Sequence, residues 1–217
     1  MCNVGVNEEI INTKIKICGL RTADDVEYVN QCKPDYVGFV FADSRRRVTG
    51  EQAAELRAGL LENIVPVGVF VNAPADEVAE IVNRGIIDIA QLHGDEDAIY
   101  IKELRGKLKR GQIIKAVRVR DMADIEVSRS IDADYILFDT YKVGAYGGTG
   151  DVFDWKLLRG YSKPFFLAGG INEQNVMEAV RLTKPYAVDV SSAVETDGRK
   201  DGKKIREFID IVRGNIL

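Results

Sequence analysis

The sequence predicts a single-domain α/β protein of the (β/α)8, or TIM-barrel, class. Three observations point there. Eight short apolar, β-branched runs alternate with helical patterns along the chain. The gaps between runs are long enough for the helical crossovers that bring each strand back parallel to the one before. The first run leads into Cys18-Gly19-Leu20, not into the G-x-G-x-x-G loop of a doubly wound nucleotide-binding sheet. At 217 residues the chain sits near the lower end of the barrel size range.

The elements follow in order. Residues 14–18 alternate polar and apolar side chains, as a strand does. Gly19 breaks that strand, and Thr22-Ala23-Asp24-Asp25 supplies capping chemistry for a helix over 23–31. Further strands are expected at 36–41, 65–71, 87–92, 113–117, 135–138, 164–167 and 187–190. Helices are expected between and after them, at 50–61, 75–84, 96–108, 122–129, 173–182 and 203–212. The gap after the sixth strand holds only a weak helical pattern, centred on Phe153-Asp154-Trp155. No linker, low-complexity tract or composition shift divides the chain. One barrel domain over residues 14–217 is therefore expected, with residues 1–13 a short N-terminal extension.

Composition narrows the function classes. The chain is 46% hydrophobic and 29% charged, which is ordinary for a soluble globular protein. Its net charge of −4 and pI near 5.3 argue against nucleic acid or an anionic membrane as partner. No apolar run is long enough to span a bilayer, and the N-terminus lacks the charge and apolar core of a signal peptide. Cys2, Cys18 and Cys32 form no CxxC pair, which suits a reducing, cytoplasmic compartment. No HxH, HExxH or carboxylate cluster suggests a metal.

In a barrel, chemistry gathers in the loops at the C-terminal ends of the strands. Those positions hold Cys18-Gly19, then Arg45-Arg46-Arg47 after the second strand, and Gln91-Leu92-His93-Gly94 at the fourth. Arg118 follows the fifth strand, and Asp139-Thr140 ends the sixth. Gly147-Gly148-Thr149-Gly150, Gly169-Gly170 and Ser191-Ser192 mark the loops after strands six, seven and eight. Backbone N–H groups and hydroxyls on such loops cradle anions, and the loops after strands seven and eight are the usual phosphate site of barrel enzymes. Gly148, Gly150, Gly169, Gly170, Ser191 and Ser192 are therefore the candidate phosphate ligands. The arginine run can grip a carboxylate or phosphate through its forked donors.

Cys18 and Asp139 face each other across the expected ring, a thiol and a carboxyl that can act as base and acid on one substrate. Such a pair needs a nearby cation to ionise the thiol, which Lys16 on the same strand face can supply, and burial to keep the acid protonated. A lone cysteine is more often a small buried hydrophobe, and an aspartate at a strand end more often caps a loop. His93, the single histidine, is expected to line the pocket or to be satisfied in the rim. Asp189 either pairs with Lys16 inside the barrel or touches substrate.

These loops, in this order, resemble the phosphoribosylanthranilate isomerase family of the tryptophan pathway. The match runs from about Lys14 to the C-terminus through KICGLRTADD, DYVGFVF, SRR, VGVFVN, QLHGDE, LFDT, YGGTG, FDW, LAGGINEQNV and VDVSSAVE followed by GRKD. The resemblance implies an Amadori rearrangement of N-(5′-phosphoribosyl)anthranilate to 1-(2-carboxyphenylamino)-1-deoxyribulose 5-phosphate. It implies Cys18 as the general base at C2′ of the ribose and Asp139 as the general acid on the ring oxygen. It gives Arg46 the anthranilate carboxylate; Gln91, His93 and Asp189, at the ends of strands four and eight, are the further candidate substrate-binding residues. No metal or organic cofactor is implied, and a monomer or a homodimer would serve. The related histidine-pathway isomerase would carry aspartate at position 18. A non-catalytic phosphoribosyl binder would need neither Cys18 nor Asp139.

The chain departs from the family pattern in three places. Ala193 stands where the family usually has glycine, and would be strained by about a kcal/mol if that position has positive φ. The strand-two loop is one residue short, which leaves Arg45 and Arg47 as alternatives to Arg46. The first dozen residues have no counterpart.

Overall fold

Period-two alternation along each strand decides which side chains enter the barrel and which face the helices. The computed structural model describes residues 13–140 and 152–214. Eight parallel strands pair in chain order and close on themselves: β1 (Lys14–Cys18), β2 (Tyr36–Val40), β3 (Val65–Phe70), β4 (Ile89–Leu92), β5 (Gln112–Val119), β6 (Tyr135–Thr140), β7 (Phe165–Leu167) and β8 (Ala187–Val190). The ring closes between β1 and β8, with Lys16 opposite Asp189. Helices α1 (Ala23–Cys32), α2 (Gly50–Gly59), α3 (Ala75–Asn83), α4 (Ala98–Lys107), α5 (Met122–Ser128), α6 (Val176–Thr183) and α7 (Gly202–Arg213) surround it. The expected (β/α)8 class is the observed one.

Two apolar layers result. Outward residues such as Ile15, Ile17, Phe138, Val188 and Val190 pack beneath the helices. Inward residues Tyr36, Val67, Ile89, Ile114, Leu137, Phe166 and Ala187 fill the lumen separately. Among the described residues, no helix is long and apolar enough to cross a membrane.

Local chemistry sets the boundaries. Thr22 caps α1 through a reciprocal box with Asp25, as its sequence position predicts, and Thr49 caps α2 with Gln52 in the same way. The fourth helix begins at Ala98, not at 96, because Asp97 caps it and Glu96 turns inward to other partners. The helix expected from 173 begins at Val176, because Asn172 Oδ1 accepts the amides of Gln174 and Asn175 and holds a turn there. Strand β5 runs to Val119, so Arg118 lies in the barrel wall opposite Asp139 and not in a loop. The weak pattern around Trp155 is a single 3-10 turn, Trp155–Leu158. After β8 come a 3-10 turn, Ser192–Val194, and a two-residue hairpin, β9 (Glu195–Thr196) and β10 (Arg199–Lys200). The proposed extension at 1–13 lies outside the described residues except for Thr13.

Candidate active site

Lys16, Cys18, Gln91, Asp139 and Asp189 come from four strands and converge at the C-terminal end of the lumen. Lys16 is wholly buried, and its Nζ lies 2.8 Å from Asp189 Oδ2. Burial alone would depress the lysine, but the Asp189 carboxylate and the Cys18 thiol outweigh it and raise its pKa. Of the two roles open to Asp189, the pairing with Lys16 is the one observed. Its second oxygen, Oδ1, is buried with no hydrogen-bond partner among the described residues.

Cys18 sits one turn of the pleat above Lys16, where Gly38 on β2 makes room for it: a Cβ there would lie 2.6 Å from Sγ. Burial pushes the thiol pKa up, against the pull of Lys16 and Lys200. Lys16 does draw the thiol toward ionisation, as its place on the same strand face suggests, but its charge does not outweigh burial. Desolvation exceeds the attraction of a lysine already paired with Asp189.

His93 has partners that local sequence did not suggest. Its Nε2 lies 3.1 Å from Asp139 Oδ2, and its Nδ1 lies 2.8 Å from Gln91 Nε2. Asp139 Oδ1 accepts the Thr140 amide at 2.7 Å. Gly169, at φ +77°, closes over this corner, and a Cβ on it would lie 2.7 Å from Asp139 Oδ1. Beneath the loop, buried Lys115 donates to the carbonyl of Gly94 and to Glu96, whose carboxylate also takes the Gly94 and Asn72 amides. Sequence reasoning assigned Lys115 and Glu96 no role. A charged residue among the apolar helix-facing positions of a core strand, between Ile113 and Val117, is the only signal that marks Lys115.

The arginine run resolves by direction. Arg46 lies beside the strand-one loop, and its Cδ would be 2.5 Å from a Cβ on Gly19. Its Nε and Nη2 both bond Glu195, at 2.7 and 2.9 Å. Arg45 reaches the same carboxylate but is mostly exposed, and Arg47 lines a groove between α2 and α3. Burial opposes ionisation of Glu195, but the Arg46 bonds and the Lys200 charge bring its carboxyl down to about 2. Lys200 is buried and bonds Glu195 Oε1 and the Ser191 carbonyl, both at 2.9 Å. Neither Glu195 nor Lys200 was singled out beforehand, although both lie in the VDVSSAVE and GRKD segments.

The anion loops are only partly alike. Gly169 and Gly170 both have positive φ, and the Gly170 carbonyl is held by the Asn172 and Asn175 side-chain amides. Ser191 donates its hydroxyl to the Cys18 carbonyl at 2.9 Å, so it braces the cysteine loop. Ser192 is exposed at the start of its 3-10 turn. Gly148 and Gly150 lie outside the described residues.

The family model for N-(5′-phosphoribosyl)anthranilate (PRA) isomerase matches residues 15–211. The chain belongs to the PRA isomerase family. It is 48% identical over 203 residues to the N-(5′-phosphoribosyl)anthranilate isomerase of Thermoanaerobacter sp. strain X514, covering 93% of this chain and 98% of the relative. It is 50% identical over 209 residues to that of Acetivibrio thermocellus, covering 93% and 96%. The crystal structure of the Thermotoga maritima isomerase superposes with a TM-score of 0.84 at 32% identity, covering 93% and 99%. A PRA isomerase solved with reduced 1-(o-carboxyphenylamino)-1-deoxyribulose 5-phosphate superposes at 0.81, also at 32% identity and the same coverage.

Against the PRA isomerase pattern, one departure proves harmless. Ala193 is not among the residues with positive φ, so the strain expected if it needed that conformation does not arise. The short strand-two loop still puts one arginine, Arg46, against the Cys18-Gly19 turn.

Proposed function

We propose that this isomerase of tryptophan biosynthesis carries out the Amadori rearrangement of phosphoribosylanthranilate with Cys18 as base and Asp139 as acid. Asp139 gives a proton to the furanose oxygen as the C1′–O bond opens, leaving an iminium between C1′ and the anthranilate nitrogen. Cys18, as thiolate, takes the C2′ proton, and the electron pair moves to form the enolamine, which becomes the ketose on transfer of a proton to C1′ and loss of one from the 2′ hydroxyl. The observation that carries this reading is the convergence of a thiol above a buried lysine with a carboxyl hydrogen-bonded to the single histidine, at the open end of one lumen. Buried oxygens of Gln91, Thr140 and Asp189 that have no partner among the described residues lie in the same region and suit a polyhydroxylated ligand.

The remaining roles are part of the same proposal. Arg46, held rigid by Glu195, offers its remaining Nη1 to the anthranilate carboxylate. The Gly169-Gly170 and Ser191-Ser192 loops, with Gly148 and Gly150, receive the phosphate. The raised Cys18 pKa makes the thiolate depend on the charges of Lys16 and Lys200. The test is turnover of freshly generated phosphoribosylanthranilate, read as loss of its fluorescence, for wild type, Cys18→Ser and Asp139→Asn. Retained turnover in either variant removes that residue from its role.

A further inference from the structure

Asp139 can serve as an acid only if something reloads its proton, and its one side-chain hydrogen-bond partner among the described residues is His93. Ile89, Gln91 and His93 alternate along β4 and its continuation, so Gln91 and His93 share the lumen face. Gln91 is almost wholly buried, and its Nε2 faces His93 Nδ1 at 2.8 Å while its Oε1 has no partner among the described residues. An amide N–H can point only at a bare ring nitrogen. In this arrangement Nδ1 is unprotonated, and Nε2 carries the hydrogen that His93 donates to the Asp139 carboxylate. The acid is then discharged.

Turning the amide by half a rotation puts Oε1 against Nδ1 with no change of shape. The ring must then carry hydrogen on Nδ1. The 3.1 Å axis between Nε2 and Asp139 Oδ2 is satisfied only by a second proton shared along it. The loaded arrangement therefore holds one proton more than the discharged one. That proton comes from water after product leaves. It departs to the furanose oxygen as the C1′–O bond breaks, leaving Asp139 a carboxylate and His93 free to return to the Nε2–H form.

We propose that Gln91 is a positioning residue whose amide orientation selects the His93 tautomer and so whether Asp139 holds its acidic proton. The inference rests on Asp139 being the acid. Other charges lie around this group: Asp189 and Lys16 from β8 and β1 and Arg118 from β5 share the lumen, while Lys115, on the outer face of β5, is tied to the Gly94 carbonyl beside His93. Lys16 with Asp189 and Lys115 with Glu96 are paired, so neither lysine competes for the His93 ring.

His93 is the only histidine, so a ¹⁵N spectrum of labelled whole protein reads one ring without assignment. Wild type without substrate at neutral pH is expected to show bare Nδ1 and protonated Nε2. Gln91→Glu, whose carboxylate only accepts, is expected to move the hydrogen to Nδ1 and to shift the alkaline limb of the kcat profile upward by about one pH unit. Wild type with hydrogen on Nδ1, or a Gln91→Glu ring still protonated only at Nε2, overturns the proposal. The wild-type spectrum stands even if the variant does not fold. Full turnover by Asp139→Asn would instead overturn the acid assignment, whatever the ring shows.

Discussion

The two ends of the barrel lumen are built from one ring of strands and do opposite things. At the N-terminal end Tyr36, Tyr135, Phe166 and Tyr186 interlock, with ring centroids 5.3 Å apart for Tyr36 and Phe166 and 5.0 Å apart for Tyr135 and Tyr186. Tyr36 and Tyr186 satisfy each other's hydroxyls at 2.9 Å. Asp139 lies four residues on from Tyr135 and Asp189 three on from Tyr186, and with Lys16, Cys18 and Gln91 from β1 and β4 they line the other end, with several buried oxygens unpartnered among the described residues. The closed end is finished by its own side chains and gives stability. The open end keeps polar groups in a low-dielectric place where they act strongly on whatever enters.

Substitutions at the two ends should therefore separate activity from stability. The largest effect is expected from Asp139→Asn and Cys18→Ser. Each should lower kcat by about 10²–10⁴ with little change in melting temperature, measured by the fluorescence assay and by thermal denaturation. Phe166→Ala at the closed end should do the reverse. Truncating a fully buried phenylalanine there should cost about 3–5 kcal/mol in denaturant unfolding, while kcat of the folded fraction stays near wild type.

A third prediction concerns the loop that holds Arg46. Glu195 has its pKa lowered from 4.5 to about 2, so its contribution is complete above pH 4.5 and is lost as pH falls towards 2. Wild type should lose about 3 kcal/mol over that window, and Glu195→Gln should show a correspondingly flatter acid limb in unfolding titrations. Loss of stability on raising the pH instead would contradict the assignment. The smallest effects distinguish neighbours. Tyr36→Phe should cost about 1 kcal/mol, the worth of one buried hydroxyl bond. Arg47→Ala should leave KM unchanged while Arg46→Ala raises it, and equal effects of the two would dissolve the distinction drawn from their directions.

Much of this molecule is legible locally. Thr22 with Asp25 announces α1, alternation from Lys14 to Cys18 announces β1, and the regular return of such runs implies the closed ring. Barrel topology then converts sequence position into place, which is why Cys18, Asp139, Gly169 and Ser191 could be put on one rim before any coordinates. Helix starts at 96 and 173 misled because side-chain bonds from Glu96 and Asn172 to backbone amides win over helical pattern there.

By itself the sequence determined the strands, their facing residues, the catalytic end and the family, because these depend on period, on capping and on ordered motifs. Only the tertiary structure decided who pairs with whom: His93 with Asp139, Lys16 with Asp189, Arg46 and Lys200 with Glu195. Those pairs join residues far apart in the chain, except Lys200 with Glu195 across the β9–β10 hairpin. For Lys16, Asp189, Glu195 and Lys200 the charge state depends on burial balanced against a partner, and that balance exists only after the ring has closed.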